Sequence, residues 1–307
     1  MGNNYLKYIT LKKGNYDKQI MEIIKKFFPE SKNYSGIYKD FNDEEAYLFF
    51  RGQSNYKWRL SPSINRGKFD EAKILIEHLK NFPNISDDNL IAHAQHYGEK
   101  TRALDFTSDY KIALYFACCI DEKSINEDGA LYITSYLPHT TNYISALTIN
   151  LISLNEREVF KDEELADFLI NNDRYRKLYC KRNNIKNSDN QRCIISMLDN
   201  KYICTDFSTY LHTGFMIIYD LEDAKVSERM KKQKGCLFYC GSKYYKNTKI
   251  VKEIVPITTS FPQYNIYTHK ISNPLWLKDM CVKVKIPKEL KSDIMEFINI
   301  KKEDLGF

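Results

Sequence analysis

Apolar residues recur with a helical period early in the chain. Over 16–28, YDKQIMEIIKKFF, residues Ile20, Ile23, Ile24, Phe27 and Phe28 share one face, which predicts an amphipathic helix ended by Pro29. After a polar loop the apolar run 46–50 predicts a buried strand that delivers Arg51, with Gly52 letting the backbone turn. Trp58 and Leu60 continue an extended segment to the stop Ser61-Pro62-Ser63, and 70–81 has helical spacing. Ser86, Asp87 and Asp88 form an N-cap cluster for a helix over 88–97 that carries Leu90, Ile91, Ala94 and Tyr97 inward, and Gly98 stands where a left-handed cap is expected. A short strand follows at 103–106. Thr107 or Ser108 then caps a helix over 109–119, which is apolar on nearly every side and is therefore expected in the interior.

The second half is less regular. Residues 129–136, 215–219, 236–239 and 281–286 read as strands, and Pro287 opens a final helix to about Asn299. The stretch 140–200, with its polar run 181–191, reads as a helical insertion. Without internal repeats or a Gly/Ser linker, the pattern predicts an α+β fold. Residues 1–40 are expected to form an N-terminal helical segment packed on a core domain at 41–307, into which the insertion is set.

Composition narrows the classes. The chain has 307 residues, 43% apolar and 28% charged, close to globular averages. A net charge of +6 with both signs interspersed permits contact with phosphates without requiring it. No segment approaches the roughly 20 apolar residues that cross a bilayer, and no apolar signal core precedes the first helix, so a cytoplasmic protein is expected. Eight cysteines include no CxxC pair and fit buried thiols of a reducing compartment better than disulfides, and no metal is expected. The glycine-rich phosphate loops, the HExxH zinc motif and the GxSxG elbow are absent, so the usual support for NTPases, Rossmann dehydrogenases, zinc proteases and α/β-hydrolases is lacking.

Two stretches concentrate hydrogen-bonding groups where an apolar element empties into a loop: Phe50-Arg51-Gly52-Gln53, and Gln95-His96-Tyr97-Gly98 running on to Thr107 and Ser108. Arg51 has the reach to grip a phosphate or carboxylate, or to pair with a structural acid such as Asp105. His96 is either a satisfied core group or a base lining a cleft. Asp105 pairs with Arg102 or Arg51, and Thr107 and Ser108 either cap a helix or help hold an anion. The basic run Arg229–Gly235 is a solvated turn, or it aims Gln233 at whatever covers the adjacent strand edge.

Together these residues resemble the FRG-domain family. Its aromatic-Arg-Gly strand end matches Phe50-Arg51-Gly52. Its Gln-His-Tyr-Gly turn with Thr-Arg-x-Leu-Asp-x-Thr and an Ala-Leu-aromatic-Phe-Ala helix matches 95–98, 101–107 and 113–117. An Arg-x-x-x-Gln-x-Gly block matches Arg229, Gln233 and Gly235, and Glu99-Lys100 departs from the family's apolar residue and proline. The order of blocks is similar to that of ADP-ribosyltransferases. That likeness implies a mixed or antiparallel sheet of the ADP-ribosyltransferase kind and an NAD-dependent enzyme modifying a protein or nucleic acid, as a toxin or phage-defence effector in a bacterial cytosol. It further implies that Arg51 holds the NAD phosphates with Gly52, Gln53, Tyr97 and Arg102 beside it. Thr107 or Ser108 would support the nicotinamide ribose, and His96, Asp105 and Gln233 would be catalytic. A non-catalytic module sensing a nucleotide or nucleic acid is the alternative, and a His96/Asp105 hydrolase a third.

Overall fold

The computed structural model describes residues 7–33, 45–85, 89–119, 124, 126–136, 149–151, 153–154, 159–161, 171, 173, 214–217, 227–246, 249–250, 265–271 and 281–306. An open mixed sheet carries the site. Its strands, in chain order, are β1 (Lys7–Thr10), β2 (Lys32–Asn33), β3 (Tyr47–Gln53), β4 (Ala103–Thr107), β5 (Gly129–Tyr136), β7 (Phe215–Ile217), β8 (Gly235–Tyr239) and β12 (Cys281–Ile286). They lie in the order β1-β12-β5-β3-β4-β8-β7, with β2 added beside β3. β1 runs parallel to β12 and β2 parallel to β3, and the other neighbours are antiparallel. A second antiparallel sheet joins β10 (Lys249–Ile250), β9 (Ser242–Lys246), β11 (Asn265–Ile271) and β6 (Val159–Lys161).

Alternation along β3 sends Leu48 and Phe50 to one face and Tyr47 and Phe49 to the other, and all four are buried. The first face is covered by helices α1 (Tyr16–Phe27), α4 (Tyr110–Cys118) and α6 (Lys291–Ile298). Their Ile20, Ile24, Ile112, Leu114 and Ile294 meet Leu131, Ile133, Val282 and Val284. The second face, with Leu104, Phe106, Tyr132 and Phe238, is covered by the segment carrying Leu60 and Ile64 and by Ile74 of α2 (Glu71–Asn81). Each large apolar side chain so buried contributes about 1.5–3 kcal/mol.

α1 begins because the Asn15 side chain accepts from Lys18 N at 2.9 Å, and α2 because Asp70 accepts from Lys73 N at 3.2 Å. α4 is capped by Asp109, which accepts from Lys111 N at 2.9 Å, and not by Thr107 or Ser108 as the sequence suggested. The Thr107 hydroxyl is committed elsewhere. Helix α3 (Leu90–His96) ends as expected on Gly98, at φ +87°, but Tyr97 turns outward, and the expected caps Ser86 to Asp88 lie outside the described residues. The final helix starts with a 3-10 turn, Lys288–Leu290, before α6. The strands β1 and β2 carried no clear pattern in the sequence. Most of 140–200, including the polar run 181–191, lies outside the described residues; of the rest, 149–151, 153 and 173 are helical and β6 is a strand. No helix among the described residues is long and apolar enough to cross a membrane.

Gly52 stays within β3 and serves close packing instead of a turn. A Cβ added there would collide with the Ala113 carbonyl oxygen and lie 2.6 Å from Ala117 N. At Gly129, on the neighbouring β5, a Cβ would collide with the Ala117 carbonyl oxygen. The Ala113/Ala117 face of α4 therefore rests directly on the backbones of β3 and β5. Gly52→Ala is expected to lose at least about 2 kcal/mol of stability, since the α4 backbone already fills the place of the added methyl. Urea unfolding of the purified variant measures it.

Candidate functional site

β3 pairs with β5 along its whole length but meets β4 at one bridge, Phe50 to Thr107. Beyond that bridge the two strands part, and a cavity of about 220 Å³ opens beside them. Its walls come from Phe50, Arg51 and Gly52 of β3, Gln95 and His96 of α3, Asp105 to Thr107 of β4, and Phe116 of α4. Arg229, Met230 and Gln233 close it from helix α5 (Glu228–Lys232) and the residue that caps it, together with the start of β8. The volume is below the roughly 300–1,000 Å³ of ordinary small-molecule pockets, so the cavity suits one head group of a longer ligand.

The Arg51 side chain is only 14% exposed. Its Nη1 donates to the Asp105 carbonyl oxygen and lies 3.8 Å from Asp105 Oδ2, while its buried Nε has no partner. Burial pushes the Arg51 pKa down and Asp105 opposes the change, but a guanidinium keeps its charge. The Asp105 carboxylate also accepts from Gln95 Nε2 at 3.1 Å, and Gln95 Oε1 in turn accepts from the Thr101 hydroxyl. This relay fixes Asp105 between α3 and β3. Asp105 is the sole carboxylate among the described residues lining the cavity, against the guanidiniums of Arg51 and Arg229, so these walls favour an anion. His96 is pushed below its ordinary pKa by desolvation and by the Arg229 charge, with Asp105 opposing, which leaves it a neutral imidazole near pH 7.

Gln233 and Thr107 form one unit. The Thr107 hydroxyl donates to the Gln233 carbonyl oxygen at 2.7 Å and accepts from Asp109 N at 3.1 Å, so it is spent on joining β4 to the end of α5. The Gln233 side chain donates through Nε2 to the Leu305 carbonyl at 3.1 Å.

Of the residues expected from the sequence, Arg51, Gly52, His96, Asp105, Thr107 and Gln233 meet around this cavity, and four do not line it. Arg102 is fully buried, where its Nε and Nη2 donate to Glu71 Oε2 at 2.8 and 2.6 Å, so the expected ligand contact is replaced by a structural fork. Tyr97 stacks on His93, with centroids 4.5 Å apart, and points outward instead. Gln53 is buried with both amide atoms unpartnered, and the backbone of Ser108 donates to Lys234 O at 3.1 Å. Among the wall residues without an assigned role in the sequence are Gln95, Arg229, Met230 and Phe116. Arg229 could have been found, because it stands one helical turn before Gln233.

Residues 46–126 match the family model of the FRG domain, so the chain carries an FRG domain over that stretch. The match takes in the Arg51 strand end, the 95–107 block and α4, while Arg229 and Gln233 lie outside it. No curated protein and no solved structure matches the chain.

Two outcomes separate the structural groups from the rest. Glu71→Ala removes the carboxylate to which the backbone N, Nε and Nη2 of the buried Arg102 donate, and is expected to cost about 3–5 kcal/mol in denaturant unfolding. The second outcome concerns pH. His78, His93 and His96 are all held below 6.5 by desolvation, and His78 Nε2 hydrogen-bonds His93 Nδ1 at 2.8 Å. With folded pKa values below unfolded ones, the unfolded chain binds protons first. The stability these groups contribute is therefore complete above pH 6.5 and is lost as pH falls through the folded values. The melting temperature followed from pH 8 to pH 5 should decline over that window, and less steeply in His93→Gln.

Proposed function

We propose that this protein is an ADP-ribosyltransferase-like enzyme that uses NAD as a substrate to modify a macromolecule, protein or nucleic acid. One observation supports this best: Arg51, His96, Asp105 and Gln233, distant in sequence, line one cavity whose described walls hold two guanidiniums and one carboxylate. The Arg51 guanidinium in the cavity wall suits an anionic group such as a phosphate of NAD. Cleavage of the nicotinamide–ribose bond passes through an oxocarbenium-like state, which fixed dipoles and a neighbouring carboxylate stabilise. In this reading Asp105, held by Gln95 and Arg51, supplies the negative charge. The neutral His96 imidazole accepts the proton of the acceptor nucleophile as it attacks the sugar carbon and nicotinamide departs. Thr107 takes a different part from the one its family block implied. Its hydroxyl is engaged twice, so it positions Gln233 and leaves the sugar to others.

A second reading, a non-catalytic module sensing a nucleotide or nucleic acid, is favoured by the neutral amide at 233 and by the ties on Asp105. One experiment separates the two. Purified protein is incubated with labelled NAD and cell extract, with nicotinamide release and thermal stabilisation measured in parallel. Transfer or release supports the enzyme, while stabilisation by ADP-ribose without turnover supports the sensor. Neither effect with NAD or ADP-ribose overturns the ribosyl reading. Arg51→Ala is expected to keep the fold and weaken ADP-ribose binding by about tenfold or more, the scale of one charged hydrogen bond.

A further inference from the structure

We infer that the turn Glu303–Leu305 holds the Gln233 amide with its carbonyl toward the cavity, making Gln233 an uncharged hydrogen-bond acceptor for a ligand hydroxyl. The inference rests on the ribosyl reading of the cleft. The partner of the amide is the Leu305 carbonyl, 3.1 Å from Nε2, and a carbonyl can only accept. The amide must therefore give that partner its NH₂ end, whichever way its two ends are drawn. Oε1 is then the acceptor end left for the cavity that Gln233 lines.

The anchor is rigid on both sides. Gln233 N donates to Arg229 O at 3.0 Å, and Gln233 O accepts from Thr107 at 2.7 Å. Leu305 is 2% exposed in the core beneath α4 and α6, so the turn cannot lift without exposing it. Gly306, at φ +77°, lets the chain close over α5, where a Cβ would come within 3.2 Å of Arg229 Cα. A hydroxyl can donate to Oε1 as it would to a carboxylate, without the carboxylate's charge. A glutamate at 233 would instead set a carboxylate oxygen against the Leu305 carbonyl. The turn thus selects an amide over an acid, and the substitution that a charge argument would choose to strengthen the site should weaken it.

Gln233→Met and Gln233→Glu test this. Without ligand, the stability penalty of Gln233→Met should be the same at every pH. That of Gln233→Glu should be the smaller of the two near pH 4, where the protonated carboxyl can donate to Leu305 O as the amide does. It should grow toward pH 8, because a carboxyl facing a carbonyl holds its proton above the ordinary value near 4.3. A raised folded pKa means the stability is present below the unfolded pKa and lost as pH rises through the folded one. A Gln233→Glu variant that follows Gln233→Met or the wild type at every pH overturns the anchor. In calorimetric titration with ADP-ribose at pH 7, both variants should bind about tenfold more weakly than the wild type. Tighter binding by Gln233→Glu overturns the acceptor role. A wild type that binds no ADP-ribose overturns the ribosyl reading and the acceptor role with it, and the pH-dependent penalty then decides whether the turn holds the amide.

Discussion

The seat of α4 on the sheet governs everything near the cleft. Ala113 and Ala117, four residues apart, present a flat strip of helix backbone, and Gly52 and Gly129 remove the two side chains that would hold it away. Two of the family's sequence blocks are thereby one packing event seen from both sides: the strand-end glycine and the two alanines of the helix. Closing that contact fixes Phe50 in the interior between α4 and the sheet, and sends Arg51 to the opposite face of its strand. It also brings Thr107, at the end of β4, level with Phe50, which is where the sheet divides.

Two arginines show how environment divides similar residues between structure and ligand binding. Arg102 has a forked carboxylate partner and no exposure, so its donors are satisfied and its cost of burial is offset within the fold. Arg51 shares Asp105 with Gln95 at the longer distance of 3.8 Å and keeps an orphaned Nε. The first is complete, while the second has capacity left over. The same contrast runs through the hydroxyls and amides. Thr107 is matched by protein on both its donor and acceptor sides, while Gln233 has its donor end tied.

Periodicity made the central elements legible. The apolar runs at 46–50, 103–106, 129–136 and 281–286 are strands, and the apolar segment after Ser108 is a buried helix, because burial on one or both faces writes itself into local sequence. What escaped depended on tertiary context. β1 is held by its parallel partner β12 more than by its own mostly exposed side chains, so no alternation marks it. Gly52 looked like a hinge because the helix that crowds it lies some 60 positions further along. Arg102 looked like a ligand contact because Glu71, thirty-one positions earlier, gives no local sign of facing it. Tyr97 broke its helical pattern by stacking on His93 at the end of α3. The family likeness gathered six residues that line the cavity and four that do not, and only the partners each finds in the fold separate the two groups.

The cavity is assembled from segments widely spaced along the chain: the end of β3, α3 with β4, and α5 with the start of β8. None of these touches the others through local sequence, so the concavity exists only once chain closures of about 50 and 130 residues are complete. Such closures come late in folding, after helices and hairpins have formed. A small molecule lodged there would be clasped by the most distant parts of the polypeptide at once, and its grip would be felt as cohesion of the whole sheet rather than of any single loop.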